Sequence, residues 1–143
     1  MSSDENSTAL LIGPISPSAS GPLYQQIVDG LRRAVSEGRL EPGTALPSFR
    51  VLAAQLLVSL ITVKRAYEEL EREGIIFRRQ GLGTFVAEQG AAASREAKLQ
   101  LAREQFAAGA REAAEAGLDP GEVEALAIEA IRSSSSSTRR KKK

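Results

Sequence analysis

LPSFRVLAAQLLVSLITVKRAYEELEREGIIFRRQGLGTFV, residues 46–86, decides the fold of this 143-residue chain. Ser48 stands where a helix cap is wanted, because its hydroxyl can accept an unpaired first-turn N–H. Val51, Leu52, Ala54 and Leu56 follow as the apolar positions of a short helix. Leu57-Val58-Ser59 then makes a three-residue turn, and Ser59 is a second plausible cap. Val63, Ala66, Tyr67 and Leu70 recur at helical spacing, and Gly74 is a good C-terminal stop. Ile75-Phe77 and Thr84-Val86 are short β-rich runs on either side of Arg78-Arg79-Gln80-Gly81-Leu82-Gly83. They predict a β-hairpin with a basic, glycine-bearing tip.

Upstream, Gly21-Pro22 opens a further helix, with proline where a missing N–H costs nothing. Leu23, Ile27, Leu31, Ala34 and Val35 form its apolar stripe, and Gly38 ends it. A loop with two prolines and a glycine leads into residues 46–86. Three helices followed by a hairpin, with a three-residue turn between the second and third, form a winged helix-turn-helix pattern.

Downstream, residues 89–93 (QGAAA) read as a short linker. An amphipathic helix is expected over about 94–116, with Leu99, Ala102, Phe106, Ala110 and Ala113 on one stripe and Gly117 closing it. Asp119 and Glu122 have the spacing of a capping box. Val123, Leu126, Ala127, Ala130 and Ile131 make the stripe of a last helix. The expected class is therefore mostly α with a small β-hairpin: a winged helix-turn-helix over 21–88 plus a C-terminal helical hairpin over 94–132 for dimerisation. Residues 1–20, rich in Ser and Pro, read as a disordered arm. Residues 133–143, SSSSSTRRKKK, read as a disordered basic tail.

Composition narrows the chemistry. The chain contains neither histidine nor cysteine, which removes thiol catalysis, His-based triads, thiolate metal sites and the commonest general base. No catalytic residue, metal site or cofactor is expected, and the Glu68–Glu73 run is the solvated back of a helix. No run of 18 apolar residues is present, so no membrane span is expected, and the acidic N-terminus does not look like a signal peptide. A cytoplasmic location fits. The net charge is only +1, so a case for nucleic acid must rest on local placement. Residues 22–88 carry nine basic and eight acidic groups, 89–132 five and eight, and the last eleven residues five basic groups. The tail could add nonspecific phosphate attraction or only solubility.

The stretch from Leu46 to Val86 resembles the DNA-binding domain of the GntR family of transcription factors, and the preceding PLYQQIVDGLRRAVSEGRLEPGTALPS fits the family's first helix and loop. The elements that carry the resemblance are the LYQQI start, the G-x-L-x-P-G-x-x-LPS loop, TVxRAYEELEREG and the R-x-G-x-GTFV wing. The short helical C-terminal piece is similar to the YtrA subfamily. The resemblance implies a dimer on double-stranded DNA, with the third helix in the major groove and the wing against the minor groove. It assigns DNA contact to Arg50, phosphate holding to Ser59 and Thr62, the groove-facing part of the helix to Lys64 and Arg65, and the wing tip to Gln80 and Gly81. Arg78 and Arg79 alternate sides of a strand, so only one is expected on DNA, and we take Arg79. Leu60 and Ile61 fall at the groove-facing start of the helix.

Each assignment has a blander counterpart. Arg50 could be a solvated helix residue. Lys64 and Arg65 could pair with Glu68 and Glu69 for a few tenths of a kcal/mol. Gly81 and Gly83 serve turn geometry first, and Tyr67 belongs to the core. The chain also departs from the family: Leu57 replaces the usual glycine of the turn, which would cost roughly 1 kcal/mol if φ is positive there. Leu60 and Ile61 replace hydrogen-bonding residues. They can touch a thymine methyl but cannot donate to guanine or phosphate, so weaker or more A·T-biased binding is expected.

The expectation is a sequence-specific DNA-binding regulator, a repressor acting as a homodimer on a pseudo-palindromic operator, with recognition helices roughly 34 Å apart. Leu99, Ala102, Phe106, Ala110, Val123, Leu126, Ala127 and Ile131 would form the dimer interface. Any small-molecule effector is unknown and would sit at that interface. The alternative is a winged-helix adaptor that binds protein through the apolar Leu57–Ile61 patch.

Overall fold

In a computed structural model, the structure describes residues 3–17 and 21–141, with side chains over 8–17 and 21–136. The elements run α1 (Ser3–Ile12), α2 (Leu23–Ser36), β1 (Ala45–Leu46), α3 (Phe49–Leu56), α4 (Leu60–Arg72), β2 (Ile76–Arg79), β3 (Gly83–Val86), α5 (Gly90–Glu115) and α6 (Pro120–Lys141). The chain divides into two compact units, residues 1–98 and 99–143.

In the first unit, the apolar stripes foreseen for α2, α3 and α4 meet in one core. Ile27, Val28, Leu31, Ala34, Leu52, Val63, Ala66 and Leu70 have no accessible surface. Tyr67 is buried with them, as its stripe implies, and its ring meets Phe49 edge-on at 5.2 Å. Its hydroxyl donates to the Pro47 carbonyl at 2.8 Å. Burial pushes that hydroxyl well above the ordinary tyrosine range, so it stays a donor.

Both serine caps are in place. Ser48 Oγ accepts from the Val51 N–H, and Ser59 Oγ from the Thr62 N–H, each at 3.2 Å. The helix ends share one device as well. The N–H after the left-handed residue reaches back to close α3 (Val58 to the Ala53 carbonyl) and α4 (Ile75 to the Leu70 carbonyl). At α4 the left-handed residue is Gly74, with φ 79°. At α3 it is Leu57, with φ 58° and ψ 45°. Among the described residues Leu57 is the one non-glycine with positive φ, so the strain considered from the sequence is present.

The hairpin of β2 and β3 has the register Ile76 opposite Val86 and Arg79 opposite Gly83. It gains a third strand that the sequence did not signal: β1, in the proline-bearing loop, pairs antiparallel with β3, giving the order β1-β3-β2. Two residues carry no alternation, and their pairing is a tertiary event.

Three boundaries are corrected. The expected disordered arm, 1–20, contains α1, whose Ile12 is buried while Ala9 and Leu11 pack on the core. Ile12 seats on Gly30 of α2, where an added Cβ would lie 2.9–3.0 Å from Ile12 atoms. Gln26 ties down the following segment by bonds to both the N–H and the carbonyl of Ser16. Residues 1–2 and 18–20 of that arm lie outside the described residues.

Second, the expected linker 89–93 is, from Gly90 on, the start of α5. Gly90 packs tightly against the Ile75 carbonyl, Val35 and Val86, and Ser94 Oγ donates to the Arg32 carbonyl at 2.7 Å. Third, the expected disordered tail, 133–143, continues α6 as far as Lys141. The Ser134 and Ser136 hydroxyls donate to the carbonyls of Ile131 and Arg132. Residues 142–143 lie outside the described residues.

In the second unit, Leu118 N–H reaches back to the Ala113 carbonyl past Gly117. The capping box forms reciprocally: Glu122 N–H donates to Asp119 Oδ1 and Asp119 N–H to Glu122 Oε1. None of the described helices is long and apolar enough to cross a membrane.

Candidate nucleic-acid interface

The outward face of α4 follows from its buried one. With Val63, Ala66, Tyr67 and Leu70 turned inward, a helical step of about 100° per residue puts Ile61, Arg65, Glu68 and Arg72 opposite them. Leu60 and Lys64 flank that line on one side, and Thr62 and Glu69 on the other. Ile61 is 75% exposed, Leu60 45% and Leu57, in the turn before, 90%. An aliphatic patch therefore occupies the start of α4, and cations follow one turn later.

The polar groups at that start are largely engaged. Ser59 Oγ and Thr62 Oγ1 lie 2.7 Å apart in a mutual hydrogen bond, and Ser59 also caps the helix. Arg65 lies over the Tyr24 ring of α2, 3.9 Å from its centroid. It is thus not paired with Glu69 as the blander sequence account supposed; Glu69 pairs with Arg72. Tyr24 is a partner that the sequence did not reveal, although it lies in the LYQQI segment. Lys64 and Arg50 are exposed and make no ion pair among the described residues.

The wing carries its two arginines on opposite faces, as a strand requires. Arg78 turns toward α3, with its guanidinium 4.9 Å from the Phe49 ring and 4.0 Å from Glu71. Arg79 shares a face with Phe77, lying 5.4 Å over its ring, and Phe77 stacks on Phe85 across the strands at 5.6 Å. The tip is a turn closed by Leu82 N–H to the Arg79 carbonyl, with Gly81 at φ 78°. Gln80, Gly81 and Leu82 are exposed there. Between the wing and the capped start of α3 runs a cleft of about 500 Å³ lined by Ser48, Phe49, Arg78, Arg79, Gln80 and Gly81. The structure thus brings Arg79, Gln80 and Gly81 together on this cleft, and groups Ser59, Leu60, Ile61, Thr62, Lys64 and Arg65 on the first two turns of α4.

In the second unit, Phe106, Ala110, Val123, Leu126 and Ala127 line one apolar cleft of about 260 Å³ with Gly109, Ala113 and Ala130. Leu99, Ala102 and Ile131 do not line it. Phe106 is 65% exposed, so the stripe foreseen on these helices remains largely uncovered.

A network between α2 and α4 completes the frame. Arg32, nearly buried, pairs with Glu73 at 2.6 Å and with Asp29 at 3.2 Å. The Arg32 Nε and the second Glu73 oxygen are buried without a partner among the described residues. No group of three or more acidic side chains is placed to hold a metal ion among the described residues.

The sequence pattern of the bacterial regulatory proteins of the gntR family matches residues 23–86, the span from α2 to β3. The HTH-type transcriptional repressor YtrA of Bacillus subtilis is 39% identical over 92 residues, covering 64% of this chain and 71% of that protein. Among solved structures, a transcriptional antiterminator from Listeria monocytogenes superposes with a TM-score of 0.59 at 32% identity, over 82% of this chain and 87% of that one. YtrA from Sulfolobus acidocaldarius, a GntR-family transcription factor, does so with a TM-score of 0.51 at 32% identity, over 65% and 98%. The winged helix-turn-helix and these likenesses agree: the chain belongs to the gntR family and is a DNA-binding transcriptional regulator.

Proposed function

We propose that the chain is a homodimeric repressor of a pseudo-palindromic operator. It would set the start of α4 into the major groove and the wing beside it, and block transcription by occupancy. The observation that carries this is the outward face of α4, where Ile61, Lys64 and Arg65 follow a capped helix start with no core role. Arg50 and Arg79 would add phosphate contacts from α3 and the wing, and Ser59 and Thr62 would approach the backbone at the helix start. The α5–α6 cleft would be the dimer contact, with Leu99, Ala102 and Ile131 extending it. The repressor name of the Bacillus relative supports the direction of control. The protein would work in the cytoplasm without cofactor or catalytic chemistry, in keeping with a chain that has no His or Cys.

The exposure of Leu57 and Ile61 favours one second reading, a protein-binding adaptor. A binding titration against the protein's own promoter region and a scrambled duplex, at low and moderate salt, separates the two. Tighter binding to the promoter that persists at moderate salt is expected. Equal, weak binding erased by salt would leave only phosphate attraction and favour the adaptor.

A further inference from the structure

We propose that Ile61, flanked by Leu60, reads the C5-methyl group of a pyrimidine in the major groove, so that the contacted position accepts thymine or 5-methylcytosine and discriminates against uracil and cytosine. This rests on α4 being the DNA-facing helix. At the very start of that helix the surface presented to a duplex is mainly carbon. The Ser59 and Thr62 hydroxyls are bonded to each other at 2.7 Å. Arg65, the next residue along the outward line, lies over Tyr24, and its N–H donors and those of Lys64 sit a turn beyond Ile61. What is presented instead is an aliphatic surface, with Ile61 75% and Leu60 45% exposed.

In the major groove the thymine methyl is the apolar feature of a base edge; the other edges present donors and acceptors. Burying a polar edge against Ile61 would leave that edge unpaired, whereas burying a methyl removes apolar surface from water at no such cost. The discrimination is therefore for the methyl, whatever base carries it. A 5-methylcytosine·guanine pair puts the same group at the same place, so cytosine methylation within the operator would strengthen the contact.

The test starts from duplexes selected by the full chain from a random pool. The best is resynthesised with uracil for thymine at each position in turn, which deletes one methyl and nothing else. We expect one position per half-site at which uracil weakens binding about fourfold. At that same position cytosine should bind weakly, and 5-methylcytosine should recover about fourfold over cytosine. Ile61→Ala should be indifferent to the uracil exchange; its side chain lies outside the core, so an unchanged melting curve shows that the fold is intact. Specific binding that no uracil exchange alters would overturn methyl reading while leaving DNA recognition by α4 standing. Uracil sensitivity retained in Ile61→Ala would assign the methyl to another residue and overturn the proposal. Failure of the pool to enrich any sequence would remove the DNA-facing role of α4, and the proposal with it.

Discussion

The two units use apolar residues in opposite ways. In the first, Ile27, Leu31, Leu52 and Leu70 are sealed from solvent, and even the interhelical cation Arg32 is nearly buried. In the second, Ala113 is the one buried hydrophobic residue among those described, while Phe106, Leu126 and Ile131 stay open. Two helices joined by a tight turn have one buried seam at most, and alanine contributes little area to it. The first unit therefore has the core of an independent fold. The second leaves its apolar stripe open to solvent, which is the ground for proposing dimerisation there.

The strongest way to break that contrast is to charge the open face. Phe106→Glu with Leu126→Glu should halve the mass seen by sedimentation equilibrium and weaken operator binding by about 100-fold or more, since two linked heads bind far better than one. Amide exchange in α2 and α4 should be unchanged. A double variant that stays dimeric would remove the α5–α6 cleft as the interface.

A smaller effect is expected inside the first unit. Arg32→Met leaves Glu73 half-hidden with no cation and should cost about 3 kcal/mol in denaturant unfolding. Adding Glu73→Leu should recover most of it, because the pair leaves Arg32 Nε and one Glu73 oxygen unsatisfied. Equal destabilisation in the single and double variants would show that an uncompensated Glu73 charge is not the cause of the loss.

The smallest effect runs the other way. Leu57 holds φ 58° with its side chain 90% exposed, so Leu57→Gly removes left-handed strain and loses almost no packing. Glycine's extra freedom in the unfolded chain offsets part of the gain. A net stabilisation of about 0.5–1 kcal/mol is expected, a rise in Tm of about 3 °C. Leu57→Ala keeps the Cβ and should not stabilise; if it does so equally, backbone strain is not the cause.

What could be read from the sequence follows the same division between local and tertiary causes. Ser48, Ser59, Gly74, Asp119 and Glu122 announce helix ends because capping is settled within a few residues. The stripe Val63, Ala66, Tyr67, Leu70 announces a core face because its period is intrinsic to the helix. The strand β1 exists only through its partner β3, and α1 is held by a fit between Ile12 and Gly30 that no local pattern encodes. On the outward face of α4, the positions of Ile61, Lys64 and Arg65 were legible from helical periodicity. That Arg65 lies over Tyr24 and Arg78 over Phe49 was not, since each contact joins elements distant in the chain.

The contact between Ile12 and Gly30 limits what position 30 can hold. The family pattern begins at residue 23, so α1 lies outside the matched span, and its seat is a single missing side chain. An alanine at position 30 would put a methyl 2.9 Å from the Ile12 side chain and 3.0 Å from its backbone, with no flexible end able to move aside. A larger residue at position 30 would leave no room for a helix docked in this manner. Glycine at position 30 is thus what a helix docked in this manner requires.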